Sequence, residues 1–184
     1  RSYTYLYPVD KNGQHNYEDP SLAAECAIEY KEKGFTAIKF DPAGPYSSYS
    51  GHQISLHRLE HSENYCRKIR DAVGDSCDIL IGTHGQMTPS SAIRLAKRLE
   101  QFDPLWFEEP VPPGQSSAMA EVAKKTSIPV ATGERLTSKY EFYDILKNNS
   151  ASIIQMNLGR VGGILEAKKI ASLAEVYYAQ IAPH

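Results

Sequence analysis

The sequence predicts an α/β chain folded as an incomplete (β/α)8 barrel of the TIM type, with about seven strands present. Three observations carry this. Short, near-continuous apolar segments alternate throughout with amphipathic helical segments, the pattern of a parallel sheet covered on both faces. Seven such repeats follow one another without a doubled spacing, whereas a doubly wound open sheet usually has about five or six strands. Finally, His84 in LIGTHGQ, Glu108 in LWFEEP and Glu134 in PVATGER each end an apolar segment, at intervals of 24 and 26 residues. A parallel barrel returns to the same rim after each strand–helix unit, so these side chains are expected to converge at its C-terminal mouth.

The elements follow in order. Residues 2–7 (SYTYLY) read as a strand, and 20–33 as a helix with Asp19 as N-cap and Gly34 beyond its end. Residues 36–40 are a second strand, and a loop over 42–53 leads into a helix at 56–73 that Gly74 stops. A third strand at 79–81 precedes a helix from about 90 to 102, whose Ile93, Leu95, Ala96 and Leu99 fit a 3.6 period. Strands at 105–107, 129–132, 152–156 and 179–182 alternate with helices at 118–125, 139–147 and 164–176. A closed barrel wants one more strand and two more helices. An open barrel exposes two unpaired strand edges, so residues 1–184 are expected to be part of a longer chain.

Length and composition narrow the function classes. A chain of 184 residues with 41% hydrophobic and 23% charged residues suits one globular domain. A net charge of −2 supplies no basic face for a polyanion, and no apolar run approaches a bilayer span. Neither nucleic acid nor membrane is therefore an expected partner. Cys26, Cys66 and Cys77 are scattered and odd in number, which argues for reduced thiols in a cytoplasmic protein.

The candidate chemistry sits at strand ends. Carboxylates gathered at one rim repel unless a cation lies between them, which makes a hard divalent metal the natural reading for His84, Glu108 and Glu134. Neighbouring strand residues face opposite ways, so if Glu108 enters the mouth, Glu109 faces the helices and pairs with a Lys or Arg. Lys39 and Asp41, two apart, share a face and both could enter the site. An amine beside a metal is disfavoured as ammonium and can act as a base, although a lysine simply paired with Asp41 is the plainer alternative. His184 suits an acid or base on the far side of a substrate, and Asn157 is placed to bond its ring. His15, His52, His57 and His61 read as solvated surface.

The series GFTAIKFD, LIGTHGQ, LWFEEPVPP, IPVATGERL, IIQMNLGRVGGILEAKKIA and QIAPH resembles the C-terminal barrel domain of the enolase superfamily, in its mandelate-racemase-type branch. Within that branch it is most similar to sugar-acid dehydratases of the galactonate type. The resemblance covers nearly the whole chain. It implies an absent capping domain, an absent last strand–helix unit and a Mg²⁺ cofactor that stabilises the enediolate left by removal of the proton α to a carboxylate. Carried over by position, Glu108 and Glu134 match two metal ligands, Lys39 the first lysine of a Lys-x-Lys pattern, His184 a base and His84 the acid for the departing hydroxyl.

Three positions depart from the family pattern. Gly82 stands where the first metal-ligating Asp is expected, Asp41 replaces a lysine, and Asn157 replaces the Asp that pairs with the strand-seven histidine. His84 is expected to complete the metal set; if so committed, it leaves Tyr46 or Tyr49 as the acid. The expected function is a Mg²⁺-dependent lyase that dehydrates a hydroxylated sugar acid to a 2-keto-3-deoxy acid, with further copies of the chain as partners in the intact protein. Alternatives are a sugar-acid epimerase or lactone cycloisomerase of the same branch, or a non-catalytic remnant with a binding role.

Overall fold

The computed structural model describes residues 2–44 and 46–184. Its strands are β1 (Thr4–Tyr5), β2 (Ala37–Phe40), β3 (Asp78–Gly82), β4 (Trp106–Glu108), β5 (Val130–Thr132), β6 (Ile153–Ile154) and β7 (Gln180–Ile181). They form one seven-stranded sheet in chain order, and every neighbouring pair is parallel. Between them lie α1 (Pro20–Glu32), α2 (Leu56–Val73), α3 (Pro89–Leu99), α4 (Ser116–Ala123), α5 (Lys139–Lys147) and α6 (Ile164–Val176). The incomplete parallel barrel expected from the repeats is the architecture found.

Local chemistry explains the boundaries. Asp19 Oδ1 accepts the backbone N–H groups of Ser21 and Leu22 at 2.9 and 3.2 Å, with Pro20 opening α1 where no N–H is required. Helix α3 ends at Leu99, and the segment read as its last turn is a separate 3₁₀ turn, Glu100–Phe102. Strands β1 and β7 are shorter than the apolar runs that contain them. Strand β6, although paired on both sides, is equally short, at two residues within 152–156.

Side-chain alternation divides the interior in two. Ile38, Phe40, Ile79, Ile81 and Phe107 face outward and pack with helix residues such as Leu59, Ile69, Leu95 and Phe142. Ala37, Leu80, Trp106, Ala131 and Ile153 face inward, where Tyr3 of the segment before β1 and Ala182 of the segment after β7 pack against them. The Tyr3 ring meets Trp106 edge-on at 5.1 Å. Contact of residues from both ends of the sheet with one inner cluster shows how far the sheet curls.

The turns after β4 and β5 are locked together. Glu109 is fully buried with φ 46°, and it faces away from the inner layer, as alternation after Glu108 requires. Its carboxylate accepts from Thr132 Oγ1, from Gly133 N–H at 3.1 Å and from Arg135 Nη2 at 2.7 Å. The expected basic partner is thus Arg135. Gly133, at φ 137°, has no room for a side chain: a Cβ there would stand 2.8 Å from Phe142 Cε1 and 3.0 Å from the Gln155 backbone. This turn brings Glu134 to the barrel mouth, although Thr132, two residues earlier, faces outward to Glu109.

The brace should be measurable. Glu109→Gln keeps the volume but removes the charge, and is expected to cost about 2–3 kcal/mol in urea unfolding. Arg135→Ala strands a buried carboxylate and should cost more, about 3–5 kcal/mol.

Candidate active site at the barrel mouth

All strands run parallel, so their C-terminal ends share one rim. A cavity of about 370 Å³ opens there, lined by Lys39, Asp41, His84, Glu134 and His184 within a wall rich in tyrosine. A larger cavity of about 630 Å³, lined among others by Tyr3, Ala37, Leu80 and Trp106, contains no carboxylate, lysine or histidine. The titratable side chains therefore gather at the smaller one.

Three carboxylates at this rim each face a base. Lys39 Nζ donates to Glu108 Oε1 at 2.5 Å, both side chains being buried. His84 Nδ1 lies 2.9 Å from Asp41 Oδ2, an ion-pair contact outside the angular range of a hydrogen bond. His184 Nε2 lies 3.2 Å from Glu134 Oε2. Glu108 Oε2 is also occupied, accepting from Trp106 Nε1 at 2.9 Å and Gln155 Nε2 at 2.8 Å. Tyr5 donates its hydroxyl to Asp41 Oδ2 at 3.1 Å.

The charges follow from these contacts. Burial opposes the Lys39 ammonium, but the Glu108 carboxylate outweighs it and holds the lysine pKa above its ordinary value. Of the two readings open for Lys39, a base and a paired ammonium, the contacts favour the paired ammonium, with Glu108 rather than Asp41 as its partner. The Asp41 carboxylate raises the His84 pKa, against burial that would lower it. Burial pushes the Asp41 carboxyl upward, and its contacts with His84, Tyr5 and Lys39 offset this only in part.

The expected ligands His84, Glu108 and Glu134 are not gathered round one point: each is turned to a different partner. Among the described residues no three His, Cys, Asp or Glu side chains form a ready metal group. The donor chemistry nevertheless fits Mg²⁺. Three carboxylates share the rim, and one buried oxygen, Asp41 Oδ1, has no hydrogen-bond partner.

The other candidates divide. Asn157 Nδ2 is 3.2 Å from His184 Nδ1, the pairing expected for it. Tyr46 is exposed and meets the His84 ring edge-on at 5.1 Å, whereas Tyr49, also exposed, does not line the cavity. His61 is not simple surface: it is partly buried, 3.3 Å from Glu18. Gln155, Trp106 and Tyr5 were missed. Counting back by two from Asn157, Glu108 and Tyr7 would have found all three, since inward positions recur with that period.

Comparison with known proteins gives the family. Residues 21–184 match the family model described as enolase C-terminal domain-like. The chain is 35% identical over 174 residues to a D-xylonate dehydratase of Haloferax volcanii, covering 91% of this chain and 42% of that one. It is 36% identical over 166 residues to a D-gluconate dehydratase of Thermoproteus tenax, covering 90% of this chain and 33% of that one. A solved structure from Burkholderia SAR-1, assigned to the mandelate racemase/muconate lactonizing enzymes, superposes with TM-score 0.97 at 69% identity. That match covers all of this chain and 46% of the other. The chain thus spans less than half the length of these relatives. No helix among the described residues is long and apolar enough to cross a membrane. By the family match, the shared fold and the conserved identity with these relatives, the chain belongs to the enolase superfamily, in its mandelate-racemase-type branch.

Proposed function

We propose that the intact protein is a Mg²⁺-dependent sugar-acid dehydratase that converts a hydroxylated sugar acid to a 2-keto-3-deoxy acid. The observation that carries this reading is the set of three acid–base pairs brought to one rim from the ends of five strands. The names of the D-xylonate and D-gluconate dehydratases support the substrate class.

In this reading Glu108 and Glu134 would hold the metal, with a third donor from the end of β2 or β3. A bound Mg²⁺ supplies positive charge to the substrate carboxylate, which acidifies the neighbouring C–H bond. Lys39, an ammonium in the cavity wall, adds charge of the same sign for that carboxylate.

His184 removes the α-proton. Arg160 N–H donates to Asn157 Oδ1 at 3.1 Å, so the Asn157 amide NH₂ faces His184 Nδ1 and the ring proton rests on Nε2, toward Glu134. Base action at Nε2 requires that proton to move to Nδ1, with Asn157 turning its amide oxygen to accept it. The electron pair of the broken C–H bond passes first into the substrate carboxylate, giving an enediolate that can take a proton back. The pair then returns to form a carbon–carbon double bond as the C–O bond at the next carbon breaks. His84, its proton favoured by Asp41, protonates the departing hydroxyl to water. The resulting enol then tautomerises to the 2-keto-3-deoxy acid.

Two variants separate the roles. His184→Asn in the intact protein should lower exchange of the substrate α-proton with solvent deuterium by about 100-fold or more. A normal exchange rate would remove His184 from this role. His84→Asn should keep that exchange but slow water loss by about 100-fold or more. Carbon NMR of the product should show a ketone; a product that keeps every hydroxyl would point to isomerisation instead.

A further inference from the structure

The ends of β2, β3 and β4 stand at one level of the barrel mouth, and the middle one has no side chain. Phe40 pairs with Ile81 in the β2–β3 register, which places Asp41 beside Gly82, and Gly82 in turn pairs with Glu108. The Asp41 carboxylate leans over the glycine: a Cβ at position 82 would stand 2.9 Å from Asp41 Oδ1. The side chain of Asp41 is 6% exposed, and its two oxygens are used differently. Oδ2 takes both of its contacts, from Tyr5 and His84. Oδ1 is buried and takes none.

An ionised carboxylate oxygen buried without a partner is costly, so a structure that keeps one has a use for it. Here the unused oxygen lies over the gap at Gly82, between Asp41 and Glu108, at the rim where Glu134 also arrives. We propose that Asp41 is a metal ligand through Oδ1, and that the cation site of this chain is Asp41, Glu108 and Glu134. This rests on the metal reading under Proposed function and deepens it. Glycine at 82 is then a requirement of the site, because any side chain there would press on the donor oxygen. The assignment also leaves His84 free of the metal: Asp41 holds its imidazole through Oδ2, so one carboxylate serves the cation and the acid together. Glu108 joins the set by exchanging its contact with the Lys39 ammonium for one with the cation, and Lys39 remains available to an anionic substrate.

The test is Mn²⁺ binding to the intact protein, followed by titration calorimetry and by loss of the free-ion electron paramagnetic resonance signal, with no substrate present. Asp41→Asn, which keeps the shape, should weaken Mn²⁺ binding by about tenfold to 100-fold. The double variant Asp41→Ala with Gly82→Asp removes the side chain that a Cβ at 82 would meet and returns a carboxylate to the same gap from the neighbouring strand. It should recover most of the lost affinity while circular dichroism stays unchanged. Equal binding by the unmodified protein and Asp41→Asn would overturn the assignment of Asp41 alone. Weakened binding that the double variant, folded normally, does not restore would also overturn it. No Mn²⁺ binding by the unmodified protein would overturn the metal reading itself, and this assignment with it.

Discussion

The contact between Lys39 and Glu108 is the interaction on which the barrel mouth depends. Glu108 is 2% exposed, and an ionised carboxylate at that depth must be matched by charge and hydrogen bonds. Lys39 of β2, Trp106 of β4 itself and Gln155 just after β6 supply both. Glu134 and Asp41 solve the same problem with His184 and His84. The mouth therefore holds its acids and bases as pairs, and opening any pair changes the charge available to whatever enters.

A second constraint sets positions rather than charge. The adjacent glutamates after Phe107 have opposite duties because strand alternation sends them to opposite faces. Glu108 serves the mouth, whereas Glu109 holds Thr132, Gly133 and Arg135, the residues that flank Glu134. A carboxylate outside the cavity thus orients one inside it. The positive φ of Gly133 completes this by letting the chain break strict alternation.

Much of the fold was legible because hydrophobic period and length both survive in the sequence. The seven strand–helix repeats, the Asp19 cap and the rim position of His84, Glu108 and Glu134 follow from spacing alone. Partner choice was not legible. Nothing in FEEP says that Arg135 answers Glu109, and nothing in IKFD says that Lys39 meets Glu108 rather than Asp41. Those pairings depend on register between strands, and register comes from packing of the whole sheet. Gln155 is a different case, because its inward position is written in the sequence as a two-residue step back from Asn157.

By itself, then, the sequence determined the order of elements, the parallel barrel architecture and which residues stand at the ends of strands, since local propensity and periodicity are properties of neighbouring residues. Only the tertiary structure decided which acid meets which base, that the partner of Lys39 is Glu108 and that the Asp41 carboxylate lies over Gly82. Those outcomes depend on distances of a few ångströms between residues tens of positions apart, and in a buried mouth such distances set the charge each group carries.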